Sequence, residues 1–307
     1  MTIARKALLA LAAMAGAIPA SAVPVDDLQQ GDAMVQTIGW KLASANARFC
    51  ARSGPGIGLL LGDARTFNDA AAAREAYGLG GDISVAAVAD GGPAAKAGLS
   101  ANDTVLGIAD ATVDSEPPAR PGAWTRQIRL QTRLETAVRT DGKVTLALAG
   151  NRSVTVAGEP ACTVRFMLDD SKGYAKANRE EVRIGRRFYD STGQDEAAFA
   201  AIVAHEMAHA VLDHQGVLER GPRSVTLVRH TEREADRLSV WLMANAGYDP
   251  QGAVRMIETV LRSKEPFLFP DPGHGGWKAR REAVVAEIAA MKAAPEPDWP
   301  RFFKRET

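Results

Sequence analysis

Between Asp32 and Phe49 the apolar residues Met34, Val35, Ile38, Leu42, Ala45 and Phe49 recur at steps of three and four, which predicts an amphipathic helix ending near Cys50. From residue 51 to 160 the pattern changes to short β-branched runs, Ile83 to Val88, Thr104 to Ile108, Val144 to Leu148 and Val154 to Val156. Gly, Pro, Asn and Asp separate them, so this stretch reads as a small β-rich module, with residues 115–122 a loop inside it. Past Thr163, strands at Val164 to Leu168 and Glu181 to Ile184 give way to helical spacing over 195–219, 223–246, 250–264 and 277–293. Asp249-Pro250 reads as a helix start, Gly247 as a helix stop, and Pro295 and Pro297 close the last helix. The expected fold class is α+β: a mainly helical half carrying a small edge-stranded sheet, and an inserted β-rich module.

The first residues carry a separate signal. Arg5 and Lys6 precede an apolar run from Ala7 to Ile18, then Pro19 and the small triplet Ala20-Ser21-Ala22, the layout of an export signal cleaved near Ala22. The run is too short for a membrane anchor, and no cysteine follows it to accept lipid. The expected location is therefore the periplasm or the exterior, with no transmembrane span in the mature chain. The 307 residues, 46% hydrophobic and 24% charged, suit an ordinary globular chain long enough for two domains. Its 37 basic and 37 acidic residues cancel without a basic run, which leaves a nucleic-acid partner nothing to rest on. The only two cysteines, Cys50 and Cys162, exclude a disulfide-dense scaffold, while an oxidising compartment allows them to pair.

The chemistry concentrates in His205-Glu206-Met207-Ala208-His209, inside a helical stretch with the apolar residues Phe199, Ile202, Val203, Val211 and Leu212. Residues four apart lie one above the other on a helix, so both imidazoles reach one Zn²⁺ while Glu206 reaches a water beside it. A hydrolytic site needs a third protein ligand, and Glu232 is the best candidate. In Glu232-Arg233-Glu234-Ala235-Asp236 the outer carboxylates share a helix face, which puts Asp236 one turn away as an acceptor for a ligand histidine N–H. Glu234 points elsewhere and reads as a capping or solvated glutamate. His214 and His230 remain possible ligands, each better read as a neighbour of the site or a surface residue.

These motifs, with His214, Glu232-x-x-x-Asp236-Arg237, Ala246-Gly247-Tyr248-Asp249-Pro250, and His274 six residues before Arg280, resemble the gluzincin family of zinc metalloproteases that contains HtpX, BepA and the CAAX prenyl endopeptidase. The resemblance covers about residues 162–290. It implies a zincin-type peptidase domain with one zinc, Glu232 as the third ligand, and His274 and Arg280 near the metal as stabilisers of the oxyanion. Gly275 and Gly276 stand where that family has prolines, and the segment between His209 and Glu232 is short, as in a soluble branch. Extended substrate is expected along an edge strand around Tyr174 to Ile184, where Tyr174-Ala175 departs from the family's Asn-Ala pair.

A second resemblance covers residues 83–110. Val85 to Leu99, with its Gly92-Pro93-Ala94 step and Gly98-Leu99 turn, followed by Asn102-Asp103-Thr104-Val105, is similar to a bacterial PDZ domain in which Asn102 replaces a glycine. Such domains bind extended peptides by strand addition. Gly56-Ile57-Gly58-Leu59 or Gly78-Leu79-Gly80 would form the binding loop, and the first is favoured. The implied plan is a signal over 1–22, an N-terminal helix over 23–50 that packs on the peptidase, a PDZ-like domain over 51–160, the metallopeptidase domain over 161–294 and a tail over 295–307. A Cys50–Cys162 disulfide would clamp the base of the insertion. The expected activity is zinc-dependent endopeptidase action on unfolded or misassembled envelope proteins and peptides. The alternative is a peptide-binding or chaperone-like module with a gated or structural zinc centre.

Overall fold

Helix α1 (Val25–Ala45) starts earlier than the periodicity predicts and ends in a 3₁₀ turn, Ala47–Phe49, in a computed structural model that describes residues 25–169, 175–192, 194–221, 224–262 and 276–306. The expected export signal and the positions of Tyr174, His274 and Gly275 lie outside the described residues. The stripe of α1 is the one read from the sequence: Val35, Ile38 and Leu42 are buried, each contributing about 1.5–3 kcal/mol of apolar burial. They join one core with residues of helices α5 (Arg186–Thr192), α6 (Glu196–Val211), α8 (Val225–Asn245), α9 (Gln251–Met256) and α10 (Trp277–Ala293), so α1 packs on the helical half. Gly39 permits this seat, because a Cβ there would stand 2.3 Å from the Phe166 ring. No described helix is long and apolar enough to cross a membrane.

The chain leaves the helical half through Cys50 and β1 (Ser53–Gly56) and returns through β8 (Glu159–Cys162). These strands pair antiparallel, with Ser53 opposite Cys162 and Gly56 opposite Glu159, forming a neck. Cys50 and Cys162 are disulfide-bonded across it, with Cα atoms 5.6 Å apart. The bond closes a loop of sequence separation 112, for which the chain-entropy model gives on the order of 4–5 kcal/mol. Replacing both cysteines by alanine should therefore lower the unfolding free energy by about that amount in a denaturant titration. An unchanged midpoint would show that the neck needs no covalent clamp.

Between the neck strands lies a second core built from Leu61, Ile83, Val85, Ile108, Leu130, Leu134 and Leu146 among others. Strands β2 (Leu59–Asp63) and β3 (Ile83–Val88) pair antiparallel, and β4 (Val105–Ile108), β5 (Ala111–Thr112), β6 (Lys143–Leu148) and β7 (Arg152–Ala157) form a sheet of order β5-β4-β6-β7. Helix α3 (Pro93–Lys96) begins at the expected Pro-Ala step, and Asn102 has φ 71°, the left-handed conformation its replacement of glycine calls for. The module is not β-rich alone: it also contains α2 (Ala70–Tyr77) and the 17-residue α4 (Thr125–Asp141), which the reading of 51–160 does not anticipate. Leu130, Leu134 and Val138 bury one face of α4 among charged neighbours.

In the helical half, β9 (Arg165–Asp169) and β11 (Glu181–Gly185) pair in parallel and β10 (Lys176–Ala177) pairs antiparallel with β11, in the order β10-β11-β9. Glu181 to Ile184 is therefore the middle strand, and the edge expected around Tyr174 to Ile184 reduces to β10 among the described residues. The other edge is covered, since α1 places Asp32 Oδ1 3.3 Å from the Leu168 amide and the Gln36 amide on the Phe166 carbonyl. Asp195 caps α6 and Ser224 caps α8, each accepting an orphan N–H. Gly252 lets α9 press against α6, for a Cβ there would meet the Ala197 carbonyl oxygen at 2.3 Å. The helix expected over 250–264 is α9 followed by a π turn, Ile257–Leu261.

Candidate metal centre

Helix α6 is buried along nearly its whole length, and its alanines 200, 201, 204 and 208 let neighbouring helices approach closely. Its His205 and His209 therefore project into a gap faced by α8 rather than into water. The two Nε2 atoms are 3.2 Å apart, and Glu232 on α8 places its carboxylate oxygens 3.5 Å from His205 Nε2 and 3.4 Å from His209 Nε2. Among the described residues these three form the one cluster able to hold a metal, with ligand atoms all within 4.8 Å of one another. Tetrahedral ligation of zinc at about 2.05 Å separates ligand atoms by about 3.3 Å, so the observed spacing fits that ion.

The groups behind the ligands support the same fit. His205 Nδ1 faces Asp236 Oδ1 at 3.0 Å, off the ideal hydrogen-bond line, and His209 Nδ1 faces His214 Nδ1 at 2.8 Å. Both histidines thus have a polar neighbour at Nδ1, which would leave Nε2 to a metal. Asp236 is buried and takes Arg280 Nε at 2.6 Å and Nη2 at 2.7 Å. Burial pushes the Asp236 carboxyl up, but Arg280 and His205 outweigh it and hold it below the ordinary carboxylate range. The same contest leaves Glu232 ionised: burial raises it, and His205, His209 and Arg280 bring it down. In the metal-free chain burial pulls His205 down, yet Asp236 and Glu232 hold it up at about 10, while burial and His205 itself drive His209 down to about 3.

Glu206 lies beside this cluster, 8% exposed, and among the described residues its side chain is hydrogen-bonded to nothing. In the metal-free chain burial raises its carboxyl to about 7. Arg280, expected at an oxyanion, is buried with two guanidinium nitrogens committed to Asp236, and its Nη2 lies 3.8 Å from Glu232 Oε2. Its observed part is to hold carboxylates in place. His230 is half-buried and outside the cluster.

Two readings of the sequence need correction. Glu234 is not a solvated glutamate: it is 0% exposed and accepts from His214 Nε2 at 3.0 Å. The helix expected over 195–219 is two helices, because Asp213 adopts φ 53° and caps α7 (His214–Glu219) by accepting from the Gly216 N–H. That break turns His214 back onto His209, which five residues of continuous helix would not do. Asp213 is in turn tied to Arg179, its Oδ1 2.6 Å from the guanidinium Nε.

The residues expected to bind peptide lie in the module. Gly56 ends β1, Leu59 begins β2, and the carbonyls of Ile57 and Gly58 accept from the Ala94 and Ala89 amides. The β2 edge facing α4 is taken by side chains: Gln131 bonds the Leu59 carbonyl at 3.1 Å and the Leu61 amide at 2.9 Å, and Gln127 bonds the Leu61 carbonyl at 2.6 Å. Strand addition there requires both glutamines to leave. Gly78, in the other loop considered, is the left-handed cap of α2.

No known protein family matches this chain, and no curated protein matches it.

Proposed function

We propose that the chain is an exported zinc-dependent endopeptidase acting on unfolded or misassembled envelope proteins. The observation that carries this reading is Glu206, a buried carboxylate hydrogen-bonded to no described residue, beside two imidazoles and a carboxylate at zinc-ligand spacing. Zinc, when bound by His205, His209 and Glu232, supplies a Lewis acid that polarises a carbonyl and acidifies water. Glu206 takes the proton from the attacking water and returns it to the leaving amine. Asp236, anchored by Arg280, fixes the His205 ring, and His214 fixes that of His209. His274 at the oxyanion rests on the family resemblance. The edge strand β10 lies against α6, which favours an extended substrate there. The disulfide is compatible with an oxidising location.

Peptide recruitment is assigned to the PDZ-like module on the sequence resemblance; the cavity of about 340 Å³ at the neck is shared between its Gly56, Ile57, Leu59 and Val138 and Trp40, Arg165 and Phe166 of the helical half. Under the rival reading of a peptide-binding chaperone with a structural zinc, Glu206 would have no use.

Calorimetric titration of the metal-free chain with zinc tests the centre. One zinc per chain is expected, with release of about one proton near pH 8. The sign follows from His205: with a pKa of about 10 it holds a proton at pH 8 in the metal-free chain, zinc needs that nitrogen unprotonated, and affinity therefore rises with pH. Absence of zinc uptake would overturn the proposed centre.

A further inference from the structure

If His205, His209 and Glu232 hold zinc, as proposed above, the chain beyond α10 returns to the groups behind them, placing Arg305 and Glu306 on Glu234. We propose that the segment Phe303–Glu306 is a strap that sets the strength of metal binding, acting on His209 through Glu234 and His214. His209 can offer Nε2 to a metal only if its Nδ1 carries the proton. That Nδ1 faces His214 Nδ1 at 2.8 Å, so His214 must accept there and carry its own proton on Nε2. His214 Nε2 lies 3.0 Å from Glu234 Oε2, which accepts that proton's hydrogen bond. The orientation of a metal ligand is thereby passed to Glu234, a carboxylate that is 0% exposed.

A buried carboxylate holds its place only if its oxygens are satisfied. The strap contributes two such contacts: Arg305 Nη2 lies 3.2 Å from Glu234 Oε2, and the Glu306 backbone N–H donates to Glu234 Oε1. The strap is itself fastened to α8, the helix that carries Glu232 and Asp236. Arg237 donates to Glu306 Oε1 at 3.0 Å and to the Lys304 carbonyl at 3.1 Å, and Arg233 bonds the same Glu306 carboxylate. The Arg237 guanidinium lies 5.1 Å from the centre of the Phe303 ring, and Phe302 stacks on Trp241 just before the strap. None of these contacts serves the proton transfers assigned to Glu206. Their common effect is to hold Glu234 against His214.

Groups behind a metal ligand typically contribute 10–100-fold in affinity. Zinc affinity, measured by competition with a chromophoric chelator, should weaken by about that factor in a chain ending at Phe302 and by less in Arg305→Ala, with Arg305→Lys restoring part of the loss. The visible absorption of the cobalt-substituted protein should shift in the shortened chain, a change that a purely structural strap would not cause. If the shortened chain fails to fold, Arg305→Ala against Arg305→Lys decides. Wild-type zinc affinity and an unshifted cobalt spectrum in the folded variants would overturn the strap alone. A wild-type chain that takes up no zinc would overturn the centre and the strap together.

Discussion

Glu206→Gln is expected to keep the metal and lose peptide hydrolysis by a factor on the order of 10²–10⁴, the usual contribution of a positioned proton-transfer group. The substitution preserves shape, and Glu206 is hydrogen-bonded to no described residue, so no packing or network is broken. It removes a carboxyl that burial has raised to about 7. Because no buried carboxylate is then ionised beside Glu232, the folded state should lose no stability. The loss should fall on kcat, with KM nearly unchanged, since the glutamine leaves the groove intact. Steady-state kinetics on a short quenched peptide, beside metal content and a melting curve, separate these outcomes. A variant retaining more than about a tenth of the activity would deny Glu206 its role.

The second large effect is on stability. Arg280→Met should destabilise the metal-free protein by about 3–5 kcal/mol, the usual cost of stripping one partner from a buried ion pair. Arg280 is 4% exposed and Asp236 1%, and both carboxylate oxygens of Asp236 depend on the guanidinium. Replacing both partners, as Arg280→Met with Asp236→Leu, should cost less than the sum of the two single changes, because no buried Asp236 carboxylate is then left facing His205 alone. Urea unfolding of the four proteins in a chelating buffer gives the coupling directly. A single-variant cost below about 1 kcal/mol would mean the pair is solvated and holds nothing in place.

The cluster able to hold a metal was legible because its information is local. His205 and His209 share a helix face by spacing alone, and Glu232 and Asp236 do so on a second helix. The helical spacing over 223–246 and 277–293, with stop signals at Gly247 and at Pro295 and Pro297, matches Val225–Asn245 and Trp277–Ala293 to within two residues at each end. What escaped depends on tertiary placement. Helix α4 is rich in arginine and glutamine, and its Leu130, Leu134 and Val138 form a narrow stripe easily lost among short β-branched runs. The turn at Asp213 is set by one left-handed residue tied to the distant Arg179, and only that turn makes His214 the partner of His209. Glu234 looked solvated because the residues that bury it, Arg305 and Glu306, are some seventy positions away. The Gln127 and Gln131 amides on the β2 edge are of the same kind, since no local pattern distinguishes a strand-capping glutamine from a surface one.

The most direct test of the account is cleavage of a permanently unfolded protein, reduced and alkylated so that it cannot refold, by the purified chain before and after removal of its metal. Cleavage at internal peptide bonds is expected, with loss of it in the metal-free chain, recovery with one equivalent of zinc, and no recovery in Glu232→Ala. Cleavage that persists undiminished without metal, or a zinc-loaded wild-type chain that leaves both unfolded protein and short peptides intact, would contradict it.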